Sequence, residues 1–99
     1  MKPSELLSDP SKWTQGYYAR DAKGDLQPAR SPDATCFCIF GALLRCYERP
    51  GERSQKVAQV ILKRFPQRVA HQDSVLPGFN DHKDTKYEEV ISVLQEAGL

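Results

Sequence analysis

The sequence has no apolar run long enough to span a bilayer and no excess of charge of either sign. Its fourteen Lys and Arg residues and thirteen Asp and Glu residues leave a formal net charge of +1, so no overall field favours nucleic acid, a membrane surface or an acidic substrate. The first five residues lack the apolar core of a signal peptide. We therefore expect a cytoplasmic protein that does not enter a membrane.

Cysteine is also scarce. The chain has three cysteines, an odd number, and Cys36 and Cys38 lie too close together to resemble the disulfide framework of a secreted domain. Reduced thiols are the simpler interpretation. Internal repeats and low-complexity segments are missing as well, which excludes a solenoid or a repeat array.

What is present suits one folded domain. A chain of 99 residues, 39% of them hydrophobic and nine of them aromatic, can form one compact core and is too short for two ordinary domains. We therefore expect a single domain over residues 1–99. The prolines and glycines divide it into short elements.

The N-terminal third favours a small antiparallel hairpin. After one helical turn over 4–8, the aromatic residues and the threonine of 13–20 favour a strand, Asp21 to Gly24 a turn, and 25–28 a return strand. A lone two-stranded hairpin is only marginally stable in water. We expect it to pack against helices through Trp13 and one of the two following tyrosines.

A helix is predicted from Ser31 to about Glu48. Ser31 is a capping residue, Pro32 suits the first helical position, and the Asp33 carboxylate faces the positive end of the helix. The segment 35–40, taken alone, is rich in residues that favour strands. The cap and the Gly-Ala-Leu-Leu continuation favour the helix, which would be apolar on every side and therefore central.

Two more helices are predicted. One begins at Ser54 and ends before Pro66, with one apolar face; the other opens with Thr85 and Glu88 as a capping box and ends at Gly98. The segment between them is interpreted as a loop that contains a Phe79-Asn80-Asp81 turn. The fold class is therefore α+β, with three main helices and a small antiparallel β-hairpin near the N-terminus.

Three segments in this order carry a family resemblance. They are the W-x-Q-G segment at 13–16, the C-x-x-G-A-L segment at 38–43, and the aromatic-Asn-Asp segment at 79–81. From Trp13 onward the chain resembles a family of small bacterial and phage proteins classed as a domain of unknown function. The resemblance implies the fold outline and supplies no activity, cofactor or site residue.

A thiol enzyme is one hypothesis for function. Cys38 would be the nucleophile, His82 or His71 the base, and Asp81 or Asn80 the group that orients the imidazole. Against it, a cysteine within an apolar helix is usually a core residue with a raised pKa. Cys36 and Cys38, with the two histidines, are also zinc-type ligands, but a C-x-C pair on a helix points to nearly opposite faces. We predict no metal site and no cofactor.

A basic strip could contact phosphates. It consists of Lys56, Lys63, Arg64 and Arg68. Because the net charge is balanced and no nucleic-acid module is recognisable, we interpret this strip as a solvated helix face. Nucleic acid is therefore not the expected partner.

The leading hypothesis is a non-enzymatic binding or accessory domain that contacts a protein or a small ligand. Its distinctive polar residues lie on the hairpin and on a loop, where functional groups gather more often than in a core. The predicted binding residues are Gln15, Tyr17, Asn80 and Asp81. The alternative is the cysteine-dependent hydrolase or acyltransferase, with Cys38, His82 and Asp81.

Overall fold

The computed structural model describes residues 1–99 as five α-helices and one three-stranded sheet. The helices are α1 (Pro3–Leu6), α2 (Ile39–Cys46), α3 (Gly51–Arg64), α4 (Val75–Asp81) and α5 (Tyr87–Glu96), and the strands are β1 (Ala19–Arg20), β2 (Leu26–Gln27) and β3 (Cys36–Phe37). The α+β class is confirmed in this coarser form. No helix combines the length and the apolar character needed to cross a membrane.

The sheet is antiparallel, with β1 in the centre. Ala19 pairs with Gln27 on one side and with Phe37 on the other. The predicted turn is present: Asp21 Oδ1 accepts hydrogen bonds from the backbone N–H groups of Lys23 and Asp25. The predicted strands are much shorter than expected, because only the last two residues of 13–20 join the ladder, and β3 is an addition.

The prediction that a helix begins at Ser31 was wrong about where the helix starts. Ser31 Oγ accepts a hydrogen bond from the Asp33 N–H at 3.2 Å, but the segment forms a turn, and the chain then extends into β3. Helix α2 begins only at Ile39, with Cys38 as its cap. The strand-favouring residues that precede it pair with β1, so the tertiary pairing overrides the local capping signal.

Helix α4 was missed by the sequence analysis. The segment 66–82 was expected to be a loop, but its second half is helical and contains Pro77 and Gly78. Proline is tolerated in the first turn of a helix because the N–H groups there have no intrahelical partner. Phe79, Asn80 and Asp81 therefore form the last turn of α4, and single-turn 3-10 helices cover 66–68 and 72–74.

The two amphipathic helices are close to the prediction. Helix α3 begins one turn before Ser54 and buries Val57 and Ile61. Helix α5 begins one residue later than the expected capping box: Glu89, not Glu88, accepts the hydrogen bond from the backbone N–H at the cap, that of Lys86, at 2.9 Å. Gly98, at φ +81°, follows its end, as expected.

One apolar core lies between the sheet and the helices. Its fully buried members come from the chain before the sheet, from β1, and from α2, α3, α4 and α5, and they include Leu7, Ala19, Ile39, Leu43, Ile61, Phe79, Val90 and Leu94. The ends of the chain also meet, because the backbone N–H of Ser4 donates to the Leu99 carbonyl at 3.1 Å. This packing fixes the hairpin against α2 and α4, where the candidate site lies.

Candidate functional site: a pocket beside the Asn80 junction

Asn80 connects three distant parts of the chain. Its buried side chain accepts hydrogen bonds at Oδ1 from Trp13 Nε1 at 2.7 Å and from the Ile39 N–H at 2.9 Å. Its Nδ2 donates to the Thr14 carbonyl at 3.1 Å and to Asp81 Oδ1 at 2.9 Å. These four bonds use the hydrogen-bonding capacity of an amide side chain. Asn80 is therefore a positioning residue, and its buried amide does not face a ligand.

Gln15 and Asp81 fasten the hairpin to the end of α4. Gln15 Nε2 donates to the carbonyls of Asn80 at 2.9 Å and His82 at 3.2 Å. The final carbonyls of a helix have no intrahelical partner, so Gln15 supplies one. Asp81 Oδ1 accepts a hydrogen bond from the Gly16 N–H at 2.8 Å. Gly16 has φ +90°, a conformation that favours glycine.

Helix α2 approaches the hairpin through a cysteine cap and a glycine. Cys38 Sγ accepts a hydrogen bond from the Gly41 N–H at 3.2 Å, and the Cys38 N–H donates to the Tyr18 carbonyl at 3.1 Å. A Cβ atom on Gly41 would lie 2.0 Å from the Tyr18 carbonyl oxygen. The close contact between α2 and the hairpin therefore requires glycine at 41.

A pocket of about 600 Å³ opens beside this junction. Its walls are the hairpin segment 16–18, the start of α2, one face of α3, and the chain from Gln72 to Pro77. Most of its wall is apolar, with a few polar side chains, which is the usual character of a small-molecule site. Asp81 links the pocket to the Asn80 junction because it belongs to both.

Three aromatic rings line one side of the pocket. The ring centroids of Tyr17 and Tyr18 are 5.4 Å apart, and those of Tyr18 and Phe40 are 6.0 Å apart. Tyr17 and Tyr18 are 39% and 46% exposed, so much of their surface faces solvent. These rings offer an apolar, partly open wall of the kind on which flat or cationic groups bind.

The polar groups of the pocket are acidic or neutral. Asp73 and Asp81 line it, and no lysine, arginine or histidine does. Ser54 Oγ, also at the pocket, is a buried side-chain oxygen without a hydrogen-bond partner in the protein. Buried polar atoms are usually paired, so this oxygen is an exception among the buried side chains of the protein.

Of the catalytic set that the thiol-enzyme alternative requires, Cys38 and Asp81 line the pocket but the histidine base is missing from it. Cys38 lines the pocket but is only 6% exposed. Burial raises the pKa of its thiol, the backbone N–H groups of Gly41 and Phe40 partly offset this, and the nearby charge of Asp81 raises it again. Neither histidine lines the pocket. His82 instead accepts a hydrogen bond at Nδ1 from the Asp84 N–H at 3.1 Å.

The remaining cysteine and arginine groups have other partners. Cys36 Sγ donates to the Arg20 carbonyl at 3.8 Å. The structure has no group of three or more His, Cys, Asp or Glu side chains that could hold a metal ion. In the basic strip, Arg64 pairs with Glu96 at 3.2 Å and Arg68 pairs with Glu89 at 2.5 Å. Half of that strip is therefore engaged within the protein.

The chain matches a family of unknown function (DUF6197) over residues 3–98. It belongs to this family. No curated protein matches the chain, and no solved structure does. The three segments on which the resemblance was based meet at the Asn80 junction of this DUF6197 member, through Trp13, Ile39 and Asn80 itself. The family assigns no activity, so the function must be argued from the geometry.

Sequence reasoning missed several residues of the pocket. Phe40, Ser54 and Asp73 were assigned only to a helix centre, a helix cap and a loop. They come from three elements that are far apart in sequence, and no local pattern brings them together. Tyr17 and Asp81, in contrast, were predicted as binding residues, and both line the pocket.

Proposed function

We propose that this DUF6197 member is a small non-enzymatic binding domain, and that its ligand site is the pocket beside the Asn80 junction. The observation that carries the proposal is a pocket of about 600 Å³ with an apolar wall and a few polar groups. This volume lies within the range typical of small-molecule sites. A concave site of this kind favours a small ligand over a protein partner.

Of the predicted binding residues, Tyr17 and Asp81 are the proposed ligand contacts. Gln15 and Asn80 support them, because their hydrogen bonds hold the hairpin on the end of α4. Weakening Gln15 or Asn80 would therefore displace the contact residues without removing a ligand contact.

Several features support a binding role over the thiol-enzyme alternative. A thiol nucleophile needs a base or another device that lowers its pKa. Cys38 has no imidazole at the pocket, and burial raises its pKa. The proposal predicts that iodoacetamide alkylates Cys38 slowly in the native protein, measured by mass spectrometry across pH. Fast alkylation with a midpoint well below about 8.5, the free-thiol value, would favour the enzyme instead.

The proposal also covers the cellular location and the origin of the protein. All three cysteines are free, and free thiols persist in a reducing compartment, which supports a cytoplasmic location. We also propose a bacterial or phage origin, which rests on the resemblance of the three segments alone.

A fragment screen read by two-dimensional amide NMR tests the site. Ligands should shift the signals of Tyr17, Tyr18 and Ser54, which line the pocket. Ala58→Leu should block binding because Ala58 lies in the pocket wall on α3. The matched control is Gln59→Leu, which adds the same side chain to the neighbouring, exposed position of the same helix.

Two results would contradict the proposal. One is that bound fragments shift signals elsewhere and leave the pocket unchanged. The other is that Ala58→Leu, shown to be folded by its spectrum, binds the same fragments as well as Gln59→Leu does.

A further inference from the structure

We infer that the pocket binds a small organic cation, a molecule with an ammonium head and an apolar body. This inference rests on the proposed function and names the ligand class of the same site. Its basis is the combination of aromatic rings, carboxylates and missing basic groups that the pocket wall presents.

The charge of the pocket opposes the charge of the chain. The whole sequence carries a formal charge of +1, whereas the pocket wall has two aspartates and no lysine, arginine or histidine. A concave surface of one sign in low-dielectric surroundings concentrates ligands of the opposite sign. The pocket therefore attracts cations although the protein as a whole does not.

The two carboxylates have capacity left for a ligand. Asp81 uses Oδ1 for Gly16 and Asn80, and its Oδ2 has no hydrogen-bond partner in the protein. The side chain of Asp73 makes no hydrogen bond and no ion pair in the structure. Free carboxylate oxygens accept hydrogen bonds from ammonium groups and form charge-assisted pairs with them.

The aromatic rings of the pocket lack the cations that cover other rings of the same protein. Arginine guanidinium groups lie within 5.5 Å of the ring centroids of Phe37, Tyr47 and Phe65. None lies over Tyr17, Tyr18 or Phe40, the rings at the pocket. Since a cation over an aromatic face is stabilised by the ring quadrupole, these three rings remain open to an external cation.

The positive end of α2 does not reverse this preference. A helix N-terminus attracts anions through its unpaired N–H groups. Here the Ile39 N–H already donates to Asn80 Oδ1, and the Gly41 N–H already donates to Cys38 Sγ. With these donors engaged, the start of α2 has few free N–H groups for an anion, and Asp73 and Asp81 are the charged side chains of the pocket wall.

A series of probes with the same ring and different heads tests the inference. The probes are benzylammonium, benzyltrimethylammonium, benzyl alcohol and benzoate, titrated into the 15N-labelled full chain. Ion pairing and the cation–ring attraction should make the two cations bind about tenfold more tightly than benzyl alcohol. Benzoate should bind more weakly than the alcohol, because the carboxylates repel it.

Charge-matched variants separate the pocket from the rest of the surface. Asp73→Asn should weaken benzylammonium binding about threefold, the value of one partly exposed ion pair, and leave benzyl alcohol binding unchanged. Asp33→Asn makes the same charge change at an exposed position outside the pocket and should affect neither probe. Unchanged alcohol binding shows that the variant pocket is intact.

The outcomes distinguish this inference from the proposed function. If benzyl alcohol or benzoate binds as tightly as the cations, the cation inference is wrong and the pocket remains a binding site. If no probe shifts the pocket signals at millimolar concentration, both are wrong. A capped Ala-Lys-Ala peptide presents the same ammonium on a polypeptide, and tighter binding of this peptide than of benzylammonium would overturn the assignment to a small molecule.

Discussion

At the scale of single residues, the site depends on close backbone contacts that an added side-chain carbon would prevent. Gly41 is the clearest, since a Cβ there would lie 2.0 Å from the Tyr18 carbonyl oxygen and 2.9 Å from its carbon. Neither atom can move without shifting the hairpin backbone. The distance between α2 and the hairpin segment that carries Tyr17 and Tyr18 is therefore set by the absence of a side chain at Gly41.

We expect Gly41→Ala to lower the free energy of unfolding by about 3 kcal/mol, at the upper end of overpacking costs. Gly51→Ala is the matched control, because a Cβ there meets nothing within 4 Å and Gly51 opens a helix with a negative φ. The control should be neutral or stabilising by up to about 1 kcal/mol. Urea denaturation of both variants measures this. Equal stability of the two would mean that α2 and the hairpin do not touch as described.

At the scale of elements, two ion pairs tie α5 to the end of α3 and to the turn after it, and the less exposed of the two joins Arg68 to Glu89. Arg68, in the 3-10 turn after α3, contacts Glu89 in the first turn of α5. The hydrogen bond from Arg68 is the main cause that lowers the pKa of Glu89, and the Lys86 N–H adds to it against a partial burial cost. The carboxylate is thus stabilised in its charged form.

This pair makes stability depend on pH in one direction. The pKa of Glu89 is lower in the folded state than its unfolded value of about 4.3. Its contribution is therefore complete above that pH and is lost as pH falls through the folded pKa. The stability gap between the native protein and Glu89→Gln should shrink from pH 6 to pH 3, measured by urea denaturation. Glu88→Gln, an exposed neighbour without an ion pair, should show a smaller gap over that range.

The elements differ in how well their sequences predict them. The apolar spacing of α3 and α5 predicts both helices, because each buries one face against the core. The cap at Ser31 and the loop before His82 were misinterpreted, since pairing with β1 and the tolerance for Pro77 near a helix start are not local signals. Asn80 shows the same limit at the site. Its residue type suggested a polar turn, but its side chain is buried and makes four hydrogen bonds, three of them to residues far away in sequence.

At the scale of the whole molecule, the candidate site exists only when distant segments meet. The bonds between Trp13 and Asn80 and between Gln15 and Asn80 span 67 and 65 residues. If residues 1–99 form a single cooperative domain, as the sequence analysis predicts, the junction should form and melt together with the helices. The chain has one tryptophan, so its fluorescence reports on the junction, while far-ultraviolet circular dichroism reports on the helices.

We expect the two probes to give the same urea midpoint and the same apparent free energy of unfolding. Asn80→Ala removes the acceptor of the Trp13 and Ile39 N–H groups and should lower both midpoints together. The free energy of unfolding should fall by about 2 to 4 kcal/mol, because one buried and one partly buried donor are left unpaired. Gln15→Ala, at an exposed position of the same junction, should cost less than about 1 kcal/mol. A tryptophan transition at lower urea than the helical one would mean that the hairpin docks as a separate unit. The pocket would then open without global unfolding, and ligand affinity would include the cost of closing the hairpin onto α4.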